Sequence, residues 1–300
     1  MSENYPRIRR YSIHDAGRYL LIRECVSITL YMRRAHKEIS RAVMHALDVY
    51  RRAVGPRALG LYGDDEGDWQ DLDDKGWEFI RQQFLDPLGA RVELTGASDD
   101  LAGYEFVYYG RRDEDINRGW ASLVTFFLPT EYLEEQGPRR IRELALELAA
   151  GLPFTSGHAG LSFLFPEALL GVTTPIRDDA FRYPGLDMPD SYVSLDIGKR
   201  VKGAYWLTFL GQPLLGELGS AAGLRTRLHS PGTTIQEMEG ERAVVTLGEG
   251  PEAGDMEQGR SLPAYREFAR VLEPCLYEFS SGWDGFTRED MRRWERRFLD

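Results

Sequence analysis

Hydrophobic and polar positions along the chain follow two periods, and each period predicts a different kind of element. The segment LIRECVSITLYM, which ends at Met32, is rich in apolar and β-branched residues and predicts a strand. In the segment that follows, apolar residues recur at spacings of three or four: Ile39, Val43, Leu47, Tyr50 and Val54. This spacing predicts an amphipathic helix that ends at Gly55-Pro56.

The remaining chain divides in the same way into short strands, helices and loops. Strands are predicted for RVELTG, YEFVYYG, WASLVTFFL, SGHAGLSFLF, SYVSLDIG and AYWLTFL, and a hairpin for TTIQEMEGERAVVTLGEG with its turn at Glu239-Gly240. Helices are predicted for GWEFIRQQFLDPLG, PRRIRELALELAAGLP, LPAYREFARVLEPCLYEF and TREDMRRWERRFL, the last with Thr287 as its N-cap and Asp290 three residues on. DEDINRG is predicted to be a polar turn, and residues 171–191 a long loop.

Strands and helices are mixed without a regular βαβα order, which predicts an α+β fold with a largely antiparallel sheet. An internal similarity links TFFLPTEYL (residues 125–133) with TFLGQPLLGEL (residues 208–218). Two related β-then-α halves would explain this similarity, and chance would explain it equally well. We therefore expect one α+β domain over residues 1–300 and leave open a division into two lobes near residues 151–191.

The charge is acidic overall and unevenly distributed. The net charge of −11 disfavours nonspecific binding of the whole molecule to nucleic acid or to an anionic membrane. Residues 1–60 are the exception, with twelve Lys/Arg against five Asp/Glu. Because these cations are interleaved with apolar residues, we expect this basic segment to pack on acidic surface later in the chain rather than to bind nucleic acid.

The cysteines and the first residues bear on the cellular compartment. Two cysteines, Cys25 and Cys275, provide neither a disulfide framework nor a Cys-type zinc site, and Cys25 is expected in the core. The polar start MSENYPRIRRYSIHD has no apolar signal-peptide region, and no run reaches the roughly 18 apolar residues of a membrane span. These features lead us to expect a cytoplasmic protein.

Residues 63–78, GDDEGDWQDLDDKGWE, concentrate negative charge: they hold eight carboxylates and one cation, Lys75. A metal site, a solvated loop and a surface for a basic partner would each use such a stretch. An EF-hand loop that started at Asp64 would need Gly at its sixth position and Glu at its twelfth, where this chain has Trp69 and Lys75. This mismatch weakens the metal interpretation, and we assign no metal ligand and no cofactor.

Two tryptophans bear on the remaining interpretations. Trp77 shares a helix face with Ile80 and Phe84 and is expected to pack inward. Trp69 has no periodic partner, and a tryptophan framed by carboxylates is typical of an interface anchor with a charged rim. The candidate partner-binding residues are Asp64, Asp65, Glu66, Asp68, Trp69, Asp71, Asp73 and Asp74.

Catalytic motifs are missing from the sequence. It contains no G-x-x-x-x-G-K-[ST], G-x-G-x-x-G or G-x-S-x-G, and its five histidines show no H-E-x-x-H or H-x-H spacing. Ser156 and His158 lie two residues apart in a predicted turn before a strand, where their side chains could meet. A turn that requires glycine is the simpler explanation of this segment, so no catalytic residue is assigned.

Four segments together resemble a known family. GWASLVTFFLP, LPFTSGHAGLSF, KGAYWLTFLGQPLLGELG and the closing MRRWERRF are similar to the TsiV-like type VI immunity family, over residues 20–300. Members of this family are encoded beside toxic effectors of the type VI secretion system. The resemblance implies a noncatalytic antitoxin that binds its cognate effector and blocks the active site, but it transfers no contact residues.

The residues and the resemblance together predict an immunity protein whose partner is a toxic effector with a basic active-site face. Because the chain is expected in the cytoplasm and is acidic, we expect this effector to be a nuclease. A carboxylate- or metal-dependent enzyme and an adaptor without a toxin partner are the alternatives. The sequence does not decide the oligomeric state.

Overall fold

The computed structural model describes residues 5–14, 17–96 and 102–300. Its strands are β1 (Arg9–His14), β2 (Gly17–Met32), β3 (Leu61–Gly63), β4 (Trp69–Asp71), β5 (Ala90–Thr95), β6 (Glu105–Gly110), β7 (Ser122–Pro129), β8 (Ser156–Leu164), β9 (Leu207–Leu210), β10 (Thr233–Met238) and β11 (Arg242–Leu247). Its helices are α1 (His36–Val54), α2 (Asp74–Leu85), α3 (Asp113–Asn117), α4 (Thr130–Ala150), α5 (Arg177–Arg182), α6 (Leu214–Glu217), α7 (Ser220–Arg225), α8 (Pro263–Leu272) and α9 (Arg288–Glu295). Short 3-10 helices lie at Thr174–Ile176, Ser191–Leu195 and Glu273–Cys275.

The strands form an open sheet in the order β10-β11-β9-β8-β2-β7-β6-β5-β3-β4, and β1 pairs with the first part of β2. The neighbouring strands pair in the antiparallel sense. The long strand β2 lies near the middle because its 16 residues bond to β8 on one side and to β7 on the other. With the helices packed beside it, this sheet confirms the predicted α+β fold.

Alternation along β2 gives the sheet one strongly apolar face. Val26, Ile28 and Leu30 are fully buried and join the core formed with α1, α2 and α4. The Tyr50 ring on α1 lies 5.3 Å from the Phe126 ring on β7. Removal of this apolar surface from water is the main force that holds the helical layer on the sheet.

The opposite face of the sheet is more polar and is covered by the chain that follows β8. Thr29 and Tyr31 of β2 point to this side, since they alternate with the apolar positions. The backbone N–H of Asp187 donates to the Leu161 carbonyl at 2.8 Å, which ties residues 165–205 to the edge of β8. Several buried polar and charged side chains lie on this second face.

Two segments fold differently from their prediction. SYVSLDIG, predicted to be a strand, begins with the 3-10 helix at Ser191–Leu195, because the Asp190 carboxylate caps it by accepting a hydrogen bond from Tyr192 N at 2.9 Å. DEDINRG, predicted to be a turn, contains the short helix α3. Its first turn is acidic, and the Asp115 carboxylate accepts from Arg112 N at 3.2 Å, an arrangement that stabilises a helix start.

The predicted loop 171–191 and the predicted helix LPAYREFARVLEPCLYEF also need correction. The loop contains the 3-10 helix at Thr174–Ile176 and α5. The helix α8 ends at Leu272, and a single 3-10 turn follows it. Pro274 lacks the backbone N–H that a continuing α-helix would use, which explains the early end.

The basic segment near the N-terminus is paired within the molecule, as the sequence predicts. Ion pairs join Arg7 to Glu24 and Glu134, Arg9 to Glu131, and Arg10 to Asp179. Partial burial would raise the pKa of Glu131, but the hydrogen bond from Arg9 and the nearby Arg23 charge lower this pKa to about 2. The positive charge of this segment is therefore largely used inside the fold.

Three smaller predictions are confirmed as well. Thr287 and Asp290 form a reciprocal capping box at the start of α9. Cys25 is fully buried in β2. The β10–β11 hairpin turns at Glu239-Gly240, and Gly240 has a φ of 75°.

Within the described residues, no helix combines the length and the apolar character needed to cross a bilayer.

Candidate functional site

The acidic stretch forms a β-hairpin at one edge of the sheet. The strands β3 and β4 pair with Leu61 opposite Asp71 and Gly63 opposite Trp69. Since β4 is the last strand on this side, the hairpin has a partner strand on one side only. Residues 61–74, which we call the acidic hairpin, therefore hold their carboxylates at the rim of the molecule.

Two of the predicted contact residues stabilise the hairpin and the helix after it. The Asp64 carboxylate accepts hydrogen bonds from Gln70 Nε2 at 2.8 Å and from the Asp68 N–H at 2.9 Å, and these donors lower the pKa of Asp64. The Asp73 carboxylate caps α2 by accepting from two backbone N–H groups of its first turn at 2.9 Å. These two side chains have a structural role whatever the partner.

The other predicted contact residues are exposed. They are Asp65, Glu66, Asp68, Trp69, Asp71 and Asp74. Ion pairs nearby involve other side chains, such as Arg81 with Glu78, and none of these five carboxylates forms one within the part of the chain that the structure describes. The hairpin thus presents negative charge that no described ion pair offsets.

The two tryptophans of the stretch lie in different environments, as their periodicity predicts. Trp77 is half-buried against the core, and the Arg51 guanidinium carbon lies 3.7 Å from the centre of its ring. Trp69 lies on β4 with 52% of its surface exposed. Trp77 therefore belongs to the fold, whereas Trp69 is available to a partner.

The hairpin offers no preformed metal cage. Within the described residues, no group of three or more His, Cys, Asp or Glu side chains is arranged to hold a metal ion. Trp69 on β4 and Lys75 in α2 occupy the two positions where an EF-hand requires Gly and Glu.

The densest cluster of buried polar side chains lies elsewhere, on the polar face of the sheet that the chain after β8 covers. His158 lies within β8, not in a turn before it, and its Nε2 is 3.1 Å from Asp187 Oδ2. Lys202 Nζ donates to the same carboxylate at 2.9 Å and Tyr205 Oη donates to it at 2.6 Å. Ser156 Oγ has no hydrogen-bond partner among the described residues, so the Ser156–His158 pair considered from the sequence does not form.

The charges of this buried cluster are balanced within the cluster itself. Burial lowers the pKa of His158, which favours its neutral form. Burial alone would raise the pKa of Asp187, but the Lys202 ammonium and His158 hold it well below its usual range. The adjoining cavity, lined by Thr29 among others, measures about 20 Å³, about the space of one water molecule. The cluster has no room for a substrate and acts as a support for residues 187–205.

Sequence reasoning missed this cluster because its members come from distant segments. Asp187 lies in the predicted loop, 29 positions after His158, and Lys202 lies 15 positions further on. The presence of a lysine beside apolar residues, in KGAYWLTFL, was the one available signal, since a lysine is rarely buried unless it is paired.

Comparison with known proteins identifies the family of this chain. The sequence profile described as "TsiV: Type VI immunity for VRR-NUC" matches residues 42–298. Among solved structures, the Pseudomonas aeruginosa T6SS protein PA0821 superimposes with a TM-score of 0.81 at 20% sequence identity, covering 97% of this chain and 87% of that one. At this identity the likeness shows the fold alone. A comparison with curated proteins gives no match. The profile covers most of the chain and confirms the resemblance seen in its sequence: the chain belongs to the TsiV family, type VI immunity for VRR-NUC.

Proposed function

We propose that this protein is an immunity protein that binds a cognate VRR-NUC effector nuclease and inhibits it by covering its active site. The family match over residues 42–298 is the observation that carries this proposal. The inhibition is stoichiometric and noncatalytic, because it depends on occupying a surface rather than on turning over a substrate.

The charge of the chain supports this partner. A nuclease must attract the phosphate backbone of its substrate, so it presents Lys and Arg side chains around its active site. The chain has a net charge of −11, and the acidic hairpin exposes carboxylates that form no ion pair among the described residues. Complementary fields of this kind accelerate association and orient the two proteins before they touch.

The acidic hairpin is our candidate for the charged contact. Asp65, Glu66, Asp68 and Asp71 are exposed around Trp69, which gives a charged rim with one aromatic anchor. The protein would act in the cytoplasm, where the nucleic acid that such an effector degrades is found.

The direct test uses the cognate VRR-NUC effector, which this proposal expects to be encoded beside this chain. The two proteins are co-expressed with a tag on the effector, and the complex is isolated by size exclusion. We expect co-elution in fixed stoichiometry and loss of DNA cleavage when the immunity protein is added in an equal molar amount. Cells that produce the effector should survive only when they also produce this chain.

A VRR-NUC effector from an unrelated gene pair serves as the matched control, and it should be neither bound nor inhibited. Separate elution of the cognate pair, together with full DNA cleavage in the presence of excess immunity protein, would overturn the proposed function.

A further inference from the structure

A second surface feature lies on the polar side of the sheet, away from α1, α2 and α4. A cleft of about 330 Å³ opens between the chain after β8, the 3-10 helix at Ser191–Leu195 and the loop before α9. Its apolar lining includes Leu169, Tyr192 and Trp283, and its polar lining includes Glu167, Asp190 and Asp284. We call these six residues, with the neighbouring Leu170, the leucine cleft.

The apolar residues of this cleft are unusually exposed. Leu170 has 90% of its surface exposed, the highest fraction among the large apolar side chains that the structure describes, and Tyr192 has 66%. Leu169 is exposed as well. Isolated exposed leucines are ordinary on protein surfaces, but Leu169 and Tyr192 line a concavity and Leu170 lies exposed beside it, a grouping typical of a protein interaction site.

The cleft is held in place by hydrogen bonds between its walls. Gly171 N donates to the Asp284 carboxylate, and Thr173 Oγ1 donates to the Asp284 carbonyl at 2.7 Å. The Trp283 indole N–H donates to the Asp190 carboxylate at 2.9 Å. Because these bonds join segments more than 90 positions apart in sequence, the exposed side chains sit on a preorganised frame.

A close backbone contact fixes the same frame. Gly285 has a φ of 80°, and a Cβ at this position would lie 2.8 Å from the Thr174 Cα. Only glycine fits there, since any side chain would need both a left-handed conformation and space that Thr174 occupies. The loop that carries Trp283 is therefore locked against the segment that follows Leu170.

Two acidic residues of the cleft, Glu167 and Asp190, accept hydrogen bonds but form no ion pair among the described residues. The Glu167 carboxylate accepts from Ser191 N at 2.9 Å, and the Asp190 carboxylate accepts from Tyr192 N and from the Trp283 indole. All of these donors are neutral. Within residues 5–14, 17–96 and 102–300, neither carboxylate forms an ion pair; the nearby Lys202 is paired with Asp187 instead.

We propose that the leucine cleft is the anchoring surface for the effector, and that it takes an apolar side chain of the partner flanked by Lys or Arg. This inference rests on the proposed function, because it assigns that partner to a surface. Apolar walls match the side chain, and the unpaired Glu167, Asp190 and Asp284 match the flanking cations. A surface of this composition suits the rim of a nucleic-acid-binding site.

The charge argues against other occupants. A second copy of this chain also carries a net charge of −11, and an anionic membrane would be repelled by the same carboxylates. A basic protein gains from both components of the cleft. The acidic residues would act at the edge of the contact, and the leucines at its centre.

The experiment measures association and dissociation rates with the cognate VRR-NUC effector of the proposed function, made inactive by substitution of its own catalytic residues. The test variant is Leu170→Ser/Tyr192→Ser. The matched control is Leu85→Ser/Leu88→Ser, because Leu85 is 70% and Leu88 is 60% exposed at the end of α2, on another part of the surface. Thermal unfolding of each variant checks that the fold is kept.

We expect the cleft variant to dissociate about ten times faster than the wild type or more, with an association rate within about twofold, because apolar anchors act after contact. The control pair should match the wild type in both rates. If the wild type binds and the cleft variant has unchanged dissociation, or if the control pair weakens binding equally, the assignment to the cleft is wrong. If the wild type does not bind the effector, the proposed function itself fails, and this inference fails with it.

Discussion

The acidic hairpin and the leucine cleft are both exposed and both negative, yet they are built in opposite ways. The hairpin holds its carboxylates in and around the turn between β3 and β4 at the edge of the sheet, where most of them are exposed. The cleft places apolar side chains at the surface and uses its carboxylates to bind backbone N–H groups and an indole. Exposed charges act over a Debye length of about 10 Å, whereas apolar groups act only in contact.

This difference assigns the two regions to different stages of binding. The hairpin can attract and orient a basic partner before the surfaces meet, which affects the association rate. The cleft can hold the partner once they have met, which affects the dissociation rate. A partner that used only one of the two regions would show only one of the two effects.

The largest effect is expected at the support beneath the cleft. Replacement Asp187→Ala leaves the Lys202 ammonium buried with the Met188 carbonyl as its remaining hydrogen-bond partner. We expect the free energy of unfolding to fall by about 3–5 kcal/mol, because an uncompensated buried charge is costly. Asp65→Ala in the acidic hairpin removes an exposed carboxylate and should change it by less than about 0.5 kcal/mol. Urea unfolding at pH 7 measures both.

The double variant Asp187→Ala/Lys202→Met is the control for this prediction. It removes both charges and should recover part of the lost stability, since the two residues act as a pair. If the double variant is less stable than Asp187→Ala by the full cost of a second core substitution, the ion pair is not what supports the cleft.

The sequence predicted the elements of this molecule better than its surfaces. Apolar periodicity located β2 and α1 and separated Trp77 from Trp69, because burial on one face leaves a repeating pattern in the chain. The hairpin was found as a charge run, although its pairing of Gly63 with Trp69 was not.

The cleft could not be predicted, for a physical reason. Leu169 and Leu170 follow a buried strand in the sequence, so their pattern is the same as that of core residues. In the fold, the tertiary contact between Gly171 and Asp284, 113 positions apart, joins this segment to the loop before α9, and both leucines are exposed. The 3-10 helix at Ser191–Leu195 was missed similarly, since Tyr192 and Val193 favour a strand until the Asp190 cap is considered.

Substitution of the two tryptophans distinguishes direct contact of the hairpin with the partner from an effect of its charge alone. Trp77→Ala removes a half-buried ring and its contact with Arg51, and it should cost about 2 kcal/mol of stability. Trp69→Ala should change stability by less than about 0.5 kcal/mol, because the ring is 52% exposed. Thermal unfolding compares the two, and titration calorimetry gives the effector Kd.

The Kd of Trp69→Ala then sharpens the comparison. A rise of about tenfold would make Trp69 a contact residue at the centre of the hairpin surface. A Kd equal to that of the wild type would restrict the hairpin to a long-range electrostatic role and leave the leucine cleft as the anchor.

The smallest effect is expected for the hairpin charges themselves. Asp65→Asn/Asp68→Asn removes two exposed carboxylates but leaves Asp64 and Asp73, which the fold needs. We expect the association rate with the effector to fall about threefold at low salt, with little change in dissociation, because rim charges act on the encounter. The difference should vanish near about 0.5 M NaCl, where the Debye length is a few ångströms.

The matched control is Glu239→Gln/Glu241→Gln, which removes two exposed carboxylates from the β10–β11 turn at the opposite edge of the sheet. Both variants change the net charge by the same amount, so a general effect of charge would slow both equally. A slower association for the Asp65/Asp68 variant alone would place the steering field at the acidic hairpin. Equal slowing would mean that the net charge of −11, rather than this edge of the sheet, attracts the partner.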